Sequence, residues 1–107
     1  MDELSKLYGA LGLSRRAGKC LTGDFAVEKA LKSGKTKLVV LDSGASEATR
    51  ERYRDMCGRS GAALIELPGA GHAVGKPAGK IIAITDDRFV HMILCAHAQF
   101  QEKRDSF

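Results

Sequence analysis

Leu4, Leu7, Tyr8 and Leu11 recur at i, i+3, i+4 and i+7, the apolar stripe of an amphipathic helix. The spacing predicts a helix from residue 2 or 3 into "SRRAG", ending by Gly18. "KCLTG" reads as a short strand or a turn. A second helix is expected from about 24 to 33, with Thr22 or Gly23 as its cap, Asp24 in its first turn and Gly34 as its stop. Val27, Ala30 and Leu31 then face inward, which leaves Lys29 and Lys32 on the outward side.

"KLVVL" (37–41) is a continuous apolar run bounded by charge, the pattern of a strand buried on both faces. "SEATRERYRDMCGRSG" reads as a helix with Ala48, Tyr53, Met56 and Cys57 on its apolar stripe and its arginines facing solvent without a role. "ALIEL" (63–67) and "KIIAIT" (80–85) are two more strands. The last helix is expected to begin near Asp86, capped by Thr85, with Phe89, Val90, Ile93 and Leu94 inward and a polar tail over 98–107 that frays. Helices and buried strands thus alternate with short connections. That order predicts one α/β domain over residues 1–107, its sheet covered by helices on both faces.

Several function classes drop out on composition. No apolar run approaches the roughly 20 residues that cross a bilayer, and the amphipathic Met1-Asp2-Glu3 start is unlike a signal or transit peptide. A cytoplasmic protein without a membrane partner is the expectation. Cys20, Cys57 and Cys95 show no C-x-x-C spacing, and Cys57 and Cys95 each fall on an apolar helix stripe. Buried free thiols are expected, and neither a metal site nor a disulfide. The net charge of +4 is localised: residues 1–41 hold eight basic and four acidic residues, and the remainder nine of each. A local excess of Lys and Arg suits a polyanion-facing surface, although a solvated face fits it as well.

"PGAGHAVGKPAG" (68–79) contains both prolines of the chain and a Gly-Lys pair, which raises the question of a nucleotide phosphate loop. The Walker pattern requires a glycine where Ala70 stands and a hydroxyl where Pro77 stands. The dinucleotide pattern has Gly69 and Gly71 but Val74 in the third position. Both tests fail. His72, His91 and His97 lack ligand spacing, although His72 sits where a ligand could be touched, and Asp86-Asp87 reads as a pair of acids at a helix N-terminus. No cofactor and no catalytic constellation is indicated.

Three stretches in this order, "LGLSRRAGKCLTGDFAVEKALKSGKTKLVVL", "GHAVGK" and "KIIAITDDRFVHMIL", make the chain resemble the kink-turn-binding ribosomal protein family (the L-seven-Ae and L-thirty-e kind), and most of all its small bacterial members of the YlxQ type. The resemblance spans about residues 4 to 95. It implies a three-layer α/β/α sandwich around a four-stranded mixed sheet, and a non-catalytic protein that binds a sharply bent RNA with tandem sheared G·A pairs, in a ribosomal or ribosome-associated setting. In the family the start of the second helix enters the RNA groove, and a loop before the last strand packs beside an extruded nucleotide. Carried over, Gly23 opens the binding helix, Asp24 and Phe25 follow it, and Lys29 lies along its exposed face. Lys19 and Lys37 flank it in sequence. Lys76, Pro77, Ala78, Gly79 and Lys80 form the nucleotide loop, with "GHAVGK" as a short helix and "KPAGK" as a tight turn.

The chain departs from the archaeal members where they place Asn-Glu against guanine edges, since Phe25-Ala26 stands there, and again at Asp42-Ser43-Gly44. Phe25 could stack on a base or be buried, and burial is the expectation of the two. A different class of function also fits: an adaptor docking by its basic face on the ribosome or another translation component. A monomer is expected in either case.

Overall fold

A computed structural model describes the chain from Glu3 to Asp105, with side chains from Leu4 to Gln101. Nine elements follow one another: α1 (Glu3–Arg16), β1 (Cys20–Thr22), α2 (Asp24–Lys32), β2 (Leu38–Asp42), α3 (Glu47–Ser60), β3 (Ala63–Leu67), α4 (Ala70–Ala73), β4 (Ile81–Ile84) and α5 (Asp87–Asp105). The four strands form one mixed sheet in the order β1-β4-β2-β3. β4 runs antiparallel to both its neighbours, and β2 pairs in parallel with β3 across α3.

The apolar runs at β2 and β4 become the two central strands, and every residue of both is buried. Because side chains alternate along a strand, each run feeds two cores. Leu38, Val40, Ile82 and Ile84 point to one face, under α1, α4 and α5. Val39, Leu41, Ile81 and Ala83 point to the other, where Val27, Leu31, Tyr53 and Cys57 of α2 and α3 cover them. The result is the three-layer α/β/α sandwich with a four-stranded mixed sheet. No described helix is long and apolar enough to cross a membrane.

Three local expectations need correction. The cap of α5 is Asp86 rather than Thr85: its Oδ1 accepts from the backbone N–H of Arg88 (2.8 Å) and Phe89 (3.3 Å), a carboxylate at the positive end of the helix dipole. Ala48 is exposed, so the inner stripe of α3 is Tyr53, Met56 and Cys57. Cys95 is exposed, whereas Cys57 is buried, and burial pushes the Cys57 thiol up to about 11. α5 extends to Asp105, and residues 106 and 107 lie outside the described residues.

Candidate nucleic-acid interface

Gly23 opens α2 with φ 100 and ψ 148, a region open essentially to glycine alone. Its N–H donates to the Ile81 carbonyl at 3.0 Å, which pins the helix start to the head of β4. A glycine brings no side chain to cap the helix, and none does. The first-turn N–H groups, which have no partner within any helix, are therefore left at the positive end of the dipole.

Asp24 is held from behind. The Tyr53 hydroxyl donates to its Oδ1 at 2.6 Å and Arg52 Nη2 lies 2.5 Å from its Oδ2. Arg52 first and Tyr53 second hold the Asp24 carboxyl below its usual range. The Arg52 guanidinium also stands 5.0 Å from the Tyr53 ring centroid, within cation–π reach. Burial, then the hydrogen bond to Asp24, pushes the Tyr53 phenol well up. None of α3's arginines was expected to matter, and this one orders the first turn of α2.

Phe25 is 83% exposed, which overturns the expectation of burial. The helix geometry explains it. At about 100° per residue, Phe25 lies far around the axis from Val27, Ala30 and Leu31, the three residues of α2 that are buried. Its ring instead borders a shallow groove along α2 with Glu28, Lys29, Lys32 and Ser33. Lys32 pairs with Glu28 at 3.2 Å. Among the described residues Lys29 makes no ion pair.

The 68–80 segment is built as expected: a short helix, α4, and then a turn closed by Gly79 N–H donating to Lys76 O at 2.7 Å. Pro77 and Ala78 are exposed at its tip. Gly71 makes this fold-back possible, since a Cβ there would stand 2.3 Å from Gly79 O and 2.5 Å from Lys76 O. Asp42, buried at the end of β2, anchors the segment from beneath. Its Oδ2 accepts from Gly71 N–H at 3.1 Å, its Oδ1 from Gly44 N–H at 2.9 Å, and Lys80 Nζ lies 4.0 Å away. Burial alone would raise the Asp42 pKa, but the Gly44 and Gly71 donors and the Lys80 charge outweigh it and lower it. The altered Asp42-Ser43-Gly44 stretch is thus an internal anchor. Tyr8 donates to Pro68 O and Arg15 to Val74 O, tying the loop to α1.

Gly23, Asp24, Phe25 and the 76–80 turn therefore gather at one end of the sheet, with Lys29 about one and a half turns along α2. Within the turn, Lys76 is exposed and without an ion pair among the described residues, whereas Lys80 is committed to Asp42. Lys19 and Lys37 lie at the opposite end. The Lys19 carbonyl accepts from Thr85 N–H (2.9 Å), and Lys37 Nζ is 3.6 Å from Asp87. The length of β4, ~13 Å at about 3.3 Å per residue, separates the two groups. His72 is exposed on α4. Asp42, Arg15, Arg52 and Tyr53 were missed as site-forming residues; the apolar stripe placed Tyr53 inside, but nothing in the spacing pairs it with a carboxylate 29 positions away.

Among the described residues no three His, Cys, Asp or Glu side chains converge where they could hold a metal ion. At one end of its sheet this small α/β/α sandwich brings together an uncapped helix start, an exposed aromatic ring and a tight turn whose Lys76 has no ion pair among the described residues. No family model matches the chain. The RNA-binding protein YlxQ of Bacillus subtilis (strain 168) is 30% identical over 90 residues, 81% of this chain and 90% of the relative, and the chain belongs to that protein's family. A protein of unknown function from Bacillus halodurans C superposes with a TM-score of 0.81 at 31% identity, covering 85% of this chain and 95% of its own. The Giardia lamblia 15.5kD RNA binding protein shares the fold with a TM-score of 0.68 at 16% identity, covering 92% of each chain.

Proposed function

We propose that the chain is a non-catalytic RNA-binding protein of the cytoplasm that acts as a monomer and recognises a structured, kink-turn-like RNA, ribosomal or ribosome-associated. The observation that carries this reading is the exposed Phe25 ring at the uncapped start of α2, a helix start that Gly23 N–H ties to Ile81, the residue following the 76–80 turn. A phosphate meets the free N–H groups of the helix start. Lys29 and Lys76 add attraction that does not depend on sequence. Phe25 stacks on an unpaired base, as aromatic side chains do in single-stranded and bulged RNA.

Readout by an Asn-Glu pair is replaced here. The ionised Asp24 carboxylate, oriented by Arg52 and Tyr53, is a pure acceptor and matches the imino and amino donors of a guanine edge. Pro77 and Ala78 offer a small apolar surface to an extruded nucleotide. Lys19 and Lys37, at the far end of the sheet, contribute long-range attraction only.

The test is a titration into a labelled kink-turn RNA and into the same RNA with Watson–Crick pairs in place of its G·A pairs, at several salt concentrations. A preference of about 4 kcal/mol or more for the intact motif is the expected result, the margin typical of specific nucleic-acid binding. Equal and steeply salt-dependent binding to both would leave only a basic surface. Absence of binding to either would overturn the reading.

A further inference from the structure

The outer face of the α1/α5 layer carries a second, differently built surface. A groove of about 720 Å³ runs between the two helices. Its floor is Gly9, Ala10 and Ala96, and its walls are Leu13 and Met92, which are 47% and 45% exposed. One exposed leucine needs no explanation; here two large exposed apolar side chains, Leu13 and Met92, border one groove. Its rim is basic. Among the described residues Lys6 and Arg88 are its charged lining, and none of that lining is acidic. Arg88 keeps a 3.7 Å contact to Asp86 while its side chain stays 92% exposed.

From this charge pattern we infer that the α1/α5 groove is a protein-docking site for an acidic amphipathic helix of a partner. A trough between two packed helices accepts the side-chain ridge of a third. The small floor residues let that helix approach closely: a Cβ built on Gly9 meets nothing within 4 Å, so the space above it is open. The apolar stripe of the incoming helix fills the trough between Leu13 and Met92, and acidic residues flanking the stripe meet Lys6 and Arg88. Nucleic acid fits this face poorly, because the groove offers apolar surface where phosphates need donors. A second copy of this chain would bring the same basic rim against itself. The site lies on the layer opposite α2, so the chain can hold an RNA and a protein at once. The inference stands independently of the RNA reading.

The test uses the full chain and a display library of helical peptides ~18 residues long, each spanning roughly 27 Å, randomised throughout and selected on the wild type against Gly9→Leu as counter-target. Leucine at this open helical position fills the groove without touching the core. Enriched peptides should carry an i, i+3, i+4, i+7 apolar stripe flanked by Asp and Glu. Their affinity should fall about tenfold or more for Gly9→Leu and for the double variant Lys6→Glu/Arg88→Glu. Failure of any peptide to enrich, enrichment of basic or uncharged peptides, or affinity unchanged in the charge-reversed variant would each overturn the proposal. So would concentration-dependent dimerisation that Gly9→Leu abolishes, since it would give the groove to a second copy. If Gly9→Leu fails to fold, Leu13→Asp on the exposed wall replaces it with the same expected loss.

Discussion

The hydroxyl of Tyr53, whose side chain is fully buried between α3 and the sheet, donates a 2.6 Å hydrogen bond to the carboxylate of Asp24 in the first turn of α2. The core thereby reaches the candidate interface directly. A residue that packs like a phenylalanine carries one polar atom, and that atom sets the direction of a surface charge.

Tyr53→Phe keeps the packing and removes only this donor. The expected cost is about 1 kcal/mol in urea unfolding, below the roughly 1.5–3 kcal/mol of a bond to a charged group because Asp24 is half exposed. The sharper readout is the Asp24 pKa followed by NMR, which should climb back toward the ordinary carboxylate value. If it stays where it is in the wild type, Tyr53 does not place Asp24.

Two glycine substitutions should move stability in opposite directions. Gly71→Ala drives a methyl group into the Lys76 and Gly79 carbonyls and should cost about 1–3 kcal/mol, with loss of RNA affinity because the turn shifts. Gly9→Ala, in an open helical position, should stabilise by up to about 1 kcal/mol. Thermal unfolding of the pair decides the matter, and equal effects of like sign would refute the close approach at Gly71.

Phe25→Ala separates function from folding. With the ring 83% exposed, stability should change by less than about 0.5 kcal/mol. RNA affinity should fall by about 1–3 kcal/mol if the ring stacks on a base, with the salt dependence unaltered because no charge is lost. Unchanged affinity would show that Phe25 touches no base.

The lysines divide by position. Lys29→Ala with Lys76→Ala should weaken binding and reduce the log-log salt slope by about two units. Lys19→Ala with Lys37→Ala, at the other end of β4, should alter the slope by less. A larger effect from the second pair would place the RNA on the opposite end of the sheet.

Acid stability follows from three carboxylates whose pKa values are lowered in the fold. Arg52 and Tyr53 lower Asp24, backbone donors and Lys80 outweigh burial at Asp42, and the Arg88 and Phe89 N–H groups do the same at Asp86. A lowered folded-state value means that the unfolded chain takes up protons first as pH falls. The stability these groups contribute is therefore present above the unfolded value of about 3.9 and is lost as pH drops through the folded values. Urea midpoints measured between neutral pH and pH 2 should fall over that window, and less steeply in Asp42→Asn. An Asp42→Asn profile parallel to the wild type would remove Asp42 from this account.

Much of the architecture is legible in the order of residues because it rests on local periodicity. The i, i+3, i+4, i+7 stripe of α1, the inward Val27, Ala30 and Leu31 of α2, and the unbroken apolar runs of β2 and β4 each announce their element and their burial. Gly23 and the Lys76–Gly79 turn are legible as well, since glycine opens backbone conformations that other residues avoid and proline restricts the backbone wherever it stands. Phe25 shows where such reading stops. Its apolar ring suggested the core, but its angle around α2 relative to the buried stripe turns it outward, and hydrophobicity taken residue by residue is blind to that angle.

Local pattern therefore determined the elements, their caps in outline, and the segments from which an interface could be made. Only the tertiary structure decided which of those segments meet. The antiparallel pairing of β4 with β1 and β2 puts Gly23 at the loop end and sends Lys19 and Lys37 to the other. Buried polar atoms join positions far apart in the chain, Tyr53 to Asp24 and Asp42 to Gly71. The reason is physical. Periodicity depends on a residue's immediate neighbours, whereas a buried carboxylate must find its donors wherever the fold brings them.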